Sequence, residues 1–326
     1  MTLRPFTILR SLLAATVLAM WCALAAAQTY PIRPILFIVP LGVGSSTDII
    51  ARLVAQSITE ETGEQVLVEN RTGADGVLGT RTAVGAKSDG YTVLFSSSSH
   101  LINMHLYKSP GYDSIKDFVP VAPIAEFGMY LFVNANGPYK SMEDLLTRSR
   151  QQPGKLTYGT ATALQRIMSE LLLQRTGLKM VNVPYRATAA ALTDLAAGGL
   201  IDAIFTDASS ARALWQSGRI RPLAVGGQRR LDNARDVPTL EEAGVRGYDL
   251  AGGWFGAWVP VGTPAPVVAR LNTLLSNAVK TRRVQESLAT TVMQPLVMNP
   301  EEFARFQASE AEKLGRVVKA AGIEPQ

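Results

Sequence analysis

Cysteine and histidine are almost missing from this 326-residue chain, which has one Cys (Cys22) and two His (His100 and His105). Two histidines five residues apart, with no cysteine beside them, lack the paired-ligand spacing of a zinc site, so no metal is expected. The same shortage leaves Ser/His hydrolysis without support. No G-x-S-x-G elbow occurs, and a nucleophilic serine would have to take its base from His100 or His105. No block of five or six like charges is present, which argues against nucleic acid or an anionic membrane as a partner. Internal repeats and low-complexity tracts are absent too. Paired catalytic carboxylates cannot be picked out, since Asp48, Asp75 and Asp207 sit in loops whose mutual distances the sequence does not give.

What is present begins with a leader. Residues 1–10 carry Arg4 and Arg10 and no acid, residues 11–24 are an apolar run, and Ala25-Ala26-Ala27 supplies small residues before Gln28. That order is a secretory signal with cleavage expected after Ala27, and its apolar part is short for a membrane span. Cys22 follows Trp21, where a lipid-attachment site wants a small residue. Without the leader, the chain has no cysteine and, having lost two arginines, carries 30 basic and 27 acidic residues, a net charge of +3. An exported chain of close to 300 residues buries enough apolar surface to need no disulfides and is long enough for two domains.

Short β-rich runs alternate with helical patterns from there on. Ile35–Val39 reads as a buried strand, followed by helical spacing at Ile49, Ile50, Leu53, Val54 and Ile58 with Gly63 as the stop. Further strands are expected at 66–68 and 91–96, with a helix at 77–86. A second series runs from Tyr130. Its strands are expected at 131–134, 156–159, 180–183, 201–206 and 221–225, and its helices at 142–149, 164–176, 188–197 and 209–216. Ser141 and Asp144 form a capping box for the first of these helices, and Gly177, Gly198 and Gly218 are stops. A strand at 255–259 and helices at 266–279 and 300–321 complete the chain, the last with a one-sided stripe of Phe303, Phe306, Ala311, Leu314, Val317 and Val318. Strands that lack polar alternation, separated by helices, predict α/β lobes with parallel sheets covered on both faces. The expected organisation is a leader (1–27), lobe 1 (28–127 and 252–326) and lobe 2 (128–251), with hinges near 125–129 and 250–255. Ligands of such sheets sit at the carboxyl ends of strands, so the cleft between the lobes should be lined by the residues that follow each strand.

Several such loops carry useful chemistry. Pro40-Leu41-Gly42-Val43-Gly44-Ser45-Ser46-Thr47-Asp48 leads from a strand into a helix start, whose free N–H groups suit a carboxylate or phosphate. An ordinary capped turn explains the same residues. Gly42-Val43-Gly44 begins a dinucleotide fingerprint, but Thr47 stands at the third glycine. Ser96-Ser97-Ser98-Ser99-His100 offers hydroxyl donors to an anion, or simple caps. In lobe 2 the candidates are Thr160-Ala161-Thr162, Arg166, Arg186 and Asp207. Either arginine can pair bidentately with a carboxylate or lie in solvent. Asp207 can order a water, accept an amine, or cap the helix after it.

These residues support a family. Tyr30-Pro31-Ile32-Arg33-Pro34, Thr47-Asp48-Ile49-Ile50-Ala51-Arg52, Val68-Glu69-Asn70-Arg71, Asp89-Gly90-Tyr91-Thr92 and Val183-Pro184-Tyr185-Arg186 follow in order. Ala191-Leu192-Thr193-Asp194-Leu195, Arg235-Asp236-Val237-Pro238-Thr239, Glu242-Ala243-Gly244 and Pro260-Val261-Gly262-Thr263-Pro264-Ala265-Pro266 complete the set. From Tyr30 onward the chain resembles the Bug receptors, the extracytoplasmic solute-binding proteins of tripartite tricarboxylate transporters. The resemblance implies a two-lobe periplasmic-binding-protein (flytrap) fold, a periplasmic monomer without cofactor or catalysis, and a permease as partner. It implies a small ligand: a mono- or dicarboxylate, an acidic amino acid or an aromatic acid. The expected site comprises Leu41, Gly44, Ser45, Ser46, Thr47, Ser97, Ser98, Thr160, Ala161, Thr162 and Asp207, with Arg166 as a local replacement contact where the chain departs from the family. The chain departs from the family pattern at Val43, at Ser45, at Asp75 and in a Thr160-to-Ser169 loop about two residues short, where Leu164, Gln165 and Arg166 stand. A dinucleotide-dependent oxidoreductase and a ligand sensor for a membrane kinase are the alternatives.

Overall fold

The computed structural model describes residues 30–325 except 228, 232, 233, 249, 292 and 321. The leader and its cleavage after Ala27 lie outside the described residues. Lobe 1 is built on a six-stranded sheet of order β11-β4-β10-β3-β1-β2. Its strands are β1 (Ile35–Val39), β2 (Val66–Asn70), β3 (Thr92–Ser97), β4 (Phe118–Gly128), β10 (Gly252–Pro260) and β11 (Gln294–Pro295). Lobe 2 is built on five strands of order β7-β6-β8-β5-β9, namely β5 (Tyr130–Asn134), β6 (Thr157–Thr160), β7 (Val181–Pro184), β8 (Ala203–Thr206) and β9 (Ile220–Val225).

The helices follow the sequence signals closely. In lobe 1, α1 (Ser46–Thr62) starts at the cap Ser45 and stops at Gly63, whose φ of 77° is left-handed. It is followed by α2 (Val77–Val84) and α3 (Ser99–Leu106). In lobe 2, α4 (Met142–Gln151) shows the reciprocal Ser141–Asp144 capping box. Next come α5 (Ala163–Thr176), α6 (Thr188–Ala197) and α7 (Ala208–Gln216), with left-handed Gly177 and Gly198 ending the first two. The chain then returns to lobe 1 with α8 (Ala265–Lys280), α9 (Arg282–Thr290) and α10 (Pro300–Ala320). Phe303, Leu314, Val317 and Val318 of α10 are buried, with Phe306 and Ala311 packed against them.

One expectation needs correction, and one strand went unread. The sheets are mixed, not parallel: β10 runs antiparallel to both β3 and β4, and β5 antiparallel to both β8 and β9. The cause is the double crossing. Most strands run toward the hinge, but a strand that carries the chain away from the hinge must run the other way. β5 does this in lobe 2 and β10 in lobe 1. β4, for which no expectation stood, is an 11-residue strand in a stretch containing Pro120 and Pro123. Proline removes a ladder donor and reads as a loop. Here the pairing with β10 shifts register on either side of Phe255/Gly256 and Ala257/Trp258, beside those two prolines, and bulges are where strands tolerate proline.

Three chain passes lie together at the hinge. Met129 N donates to Ala251 O (3.1 Å), and Gly226 N donates to Met129 O (2.9 Å). Gly252 pairs with Gly128, and a side chain there would overlap the Phe127 carbonyl, so only glycine lets these passes pack.

A cleft lined by five helix starts

Because most strands run toward the hinge, their carboxyl ends and the helices that follow face the gap between the lobes. A small cavity of about 20 Å³ remains there, bounded on the lobe 1 side by Leu41, Ser45, Ser46, Thr47, Ser97 and Ser99. Phe127 and Met129 of the hinge close its floor, and Thr162, Leu164, Thr188 and Ser210 its lobe 2 side. It has room for about one water. The lining polar residues are caps or first-turn residues of α1, α3, α5, α6 and α7, together with Ser97 at the end of β3. Each helix start contributes unpaired N–H groups and about half a positive charge. Among the described residues, no lysine or arginine lines the cavity, so its positive potential comes from backbone dipoles.

The Pro40–Asp48 loop is held rigidly. Ser45 Oγ accepts from Asp48 N (3.3 Å), while the Asp48 carboxylate accepts from Gly44 N (2.9 Å), Asn70 Nδ2 (3.0 Å) and Arg52 Nε (3.0 Å). Gly44 supplies a left-handed φ of 77° and points outward. Gly42 matters for a different reason. A Cβ there would lie 2.5 Å from Ala187 Cβ of lobe 2, so its bare backbone lets the lobes meet. Across the gap, Ser46 N donates to Ser210 Oγ (3.1 Å), which donates to Asp207 Oδ2 (3.1 Å). The Ser46 side chain also hydrogen-bonds the Asp207 carboxyl. Thr47 N–H has no hydrogen-bond partner among the described residues.

Asp207 stands immediately before α7. It caps α7 by accepting from Ser210 N (3.0 Å), and it is a buried acid in the interlobe contact. Burial raises its pKa, and the hydrogen bonds from Ser210 and Ser46 oppose that rise. Burial thus makes this carboxyl easier to protonate than an exposed one.

Leu41, Ser45, Ser46, Thr47, Ser97 and Thr162 thus meet at the cavity, whereas the other candidates stand back from it. Ser98 Oγ is buried without a partner against the backbone of Gly253. Thr160 Oγ1 donates to Asn182 Oδ1 (2.8 Å), and Ala161 N to Gln165 Oε1 (2.7 Å), so both shape the loop from inside lobe 2. Arg166 lies to one flank, and Arg186 is exposed on the rim. Ser99 belongs to the serine loop already singled out, and it reaches the cavity; Leu164, Thr188 and Ser210 were not named as ligand contacts, although Thr188 and Ser210 each sit within the first three residues of a helix that follows a strand, a signal that could have found them. His100 is no base for these serines. It is buried against Tyr112, Phe118 and Trp258, its ring nitrogens have no partner, and burial lowers its pKa to about 3.

The family model described as the tripartite tricarboxylate transporter family receptor matches residues 50–323. The chain belongs to that family. Its fold is that of the periplasmic binding protein BugD, at 29% identity and a TM-score of 0.87 over 91% of this chain and 100% of that one. Rpa4515 of R. palustris, solved with adipate, gives 32% identity and a TM-score of 0.86 over 91% and 100%. MatC of Rhodopseudomonas palustris, solved with malate, gives 27% and 0.83 over 89% and 100%. The receptor is a periplasmic solute-binding protein and not an enzyme, which disposes of the oxidoreductase alternative.

Proposed function

We propose that this receptor captures a small carboxylate between its lobes and presents it, in the closed form, to the permease of a tripartite transporter. The observation that carries the reading is the convergence of five helix starts, drawn from both lobes, on one cavity without a basic side chain. Such a site suits an acid group held by N–H and hydroxyl donors. The adipate and malate bound to Rpa4515 and MatC support the ligand class. Lobe 1 (28–127 and 252–326) and lobe 2 (128–251) move about the passes at Gly128–Tyr130, Gly226 and Ala251–Gly252.

In this reading the free Thr47 N–H and the hydroxyls of Ser45, Ser46, Ser97 and Thr162 hold the ligand. Gly44, Ser98, Thr160 and Ala161 fix the loops, and Asp207 with Ser210 ties ligand binding to closure. A carboxylate is larger than the residual cavity, so it enters with the lobes apart and closure proceeds with Leu164, Phe127 and Met129 repacking around it. Contacts from both lobes supply the differential affinity that shifts the equilibrium. Titration calorimetry with a panel of mono- and dicarboxylates, paired with small-angle scattering, tests this. Affinity of about 1 μM or tighter, roughly −8 kcal/mol, together with compaction, is expected. Binding without compaction would remove the closing mechanism.

A further inference from the structure

Most of the cavity wall is polar, but Phe127, Met129 and Leu164 make its hinge end apolar. Phe127 is held in place by stacking on Phe255, with ring centroids 4.5 Å apart. Leu164 comes from the other lobe. It is the second residue of α5, is only 2% exposed, and donates its N–H to Ser99 Oγ of lobe 1 (3.3 Å). Its side chain enters a slot in lobe 1 at Gly253. A Cβ on Gly253 would lie 2.7 Å from Leu164 Cδ2, 2.7 Å from Ser98 Oγ and 2.8 Å from Phe127 Cζ. The bare glycine backbone therefore makes the room that Leu164 fills.

The start of α5 is fixed firmly enough to aim that side chain. Thr162 Oγ1 accepts from Gln165 N (3.2 Å), while the Gln165 side chain accepts from Ala161 N (2.7 Å) and donates to Thr188 Oγ1 (3.3 Å). The slot belongs to lobe 1 and its plug to lobe 2, so the slot is filled only where the lobes meet. A ligand tail that reaches the hinge end competes with Leu164 for this space. A tail that stops short lets Leu164 seat, and both lose apolar surface to water together. A longer tail holds α5 away from lobe 1 and forfeits the contacts made only on closure. The hinge end also selects by charge. Among the described residues no basic side chain lines the cavity, so a second carboxylate driven against Leu164 and Phe127 would lose its water without gaining a cation.

We propose that Leu164 is a specificity-determining plug, which restricts the receptor to short aliphatic monocarboxylates whose acid group meets the helix starts and whose tail ends at Leu164. This rests on the capture proposed above and names the kind of acid captured.

Calorimetry with straight-chain acids from acetate to octanoate, and with dicarboxylates from malonate to suberate, tests the plug in the parent and in Leu164 variants. In the parent, affinity should rise about fourfold for each methylene buried, up to a length limit, and fall at least tenfold beyond it. Leu164→Ala removes about three carbons of side chain and should move the limit outward by about two to three carbons. Leu164→Met, of nearly equal volume, should leave it in place. Leu164→Val, a smaller truncation, should move it by about one carbon and keeps the test open if the alanine variant does not fold. Each dicarboxylate should bind at least tenfold more weakly than the monocarboxylate of equal length. A limit that stays put in both truncations would overturn the plug and leave capture standing. Dicarboxylates that bind as tightly as their monocarboxylate counterparts would overturn the assigned class. Binding of none of these acids, by parent or variants, would overturn the plug and the capture of a small carboxylate together.

Discussion

Gly42 offers the sharpest test of closure. A methyl group there would lie 2.5 Å from Ala187 Cβ, 3.2 Å from Ala187 Cα and 3.6 Å from the Arg186 carbonyl oxygen. Ordinary carbon contacts begin near 3.5 Å, so the facing rims would have to part by about 1 Å. Overpacking of that kind costs about 1–3 kcal/mol, and the cost falls on the closed form alone because nothing faces Gly42 once the lobes separate. Gly42→Ala should therefore weaken carboxylate binding by roughly tenfold or more while leaving the melting temperature of the open receptor near that of the parent. Removing the opposing methyl group with Ala187→Gly should restore most of the affinity, since the nearest atom is then Ala187 Cα at 3.2 Å. Ala187 caps α6 from an extended conformation, where glycine is well tolerated. Calorimetry on the parent, both single variants and the double variant reads the effect as a cycle. Equal affinity in Gly42→Ala and parent, or no rescue by Ala187→Gly, would show that these rims do not meet around the ligand.

Other outcomes follow from the same geometry. Ser210→Ala should weaken ligand-driven closure by about fivefold, roughly 1 kcal/mol, because Ser46 N–H loses its acceptor across the gap; calorimetry and scattering check it. Asp207 has a raised pKa, so the folded receptor holds its proton more tightly than the unfolded chain, and stability should fall as pH rises from the ordinary carboxylate range through the raised value. Asp207→Asn should flatten that part of the melting-temperature profile, and an unaltered profile would contradict the assignment. His100, lowered to about 3, acts in the opposite direction: stability should fall as pH drops from about 6.5 toward 3, and His100→Phe should make that decline shallower.

Much of the fold was legible because its signals are local. Gly63, Gly177 and Gly198 stop helices for want of a Cβ, Ser141 and Asp144 cap one, and β1 is continuous apolar sequence. What escaped depends on partners distant in the chain. β4 looks like a loop until β10 arrives to accommodate its prolines, and strand direction depends on which strands bring the chain back from the hinge. The site divides the same way. That helix starts after strands would line the cleft was readable, but which hydroxyl faces it was not. Ser97 and Ser99 reach the cavity whereas Ser98, between them, turns toward Gly253, an outcome decided by one step of strand-to-helix geometry.

The placement of β10 has a consequence for how the molecule comes into being. That strand lies between β3 and β4, yet it is supplied after the whole of lobe 2 has been synthesised. Until residue 252 appears, β1, β2 and β3 form a partial sheet with an open apolar edge, and β4 has no neighbour to pair with. Lobe 2, by contrast, is continuous in sequence and can assemble first. Maturation should thus proceed from the inserted lobe outward, with the first-made strands waiting exposed for the last quarter of the chain to seal them.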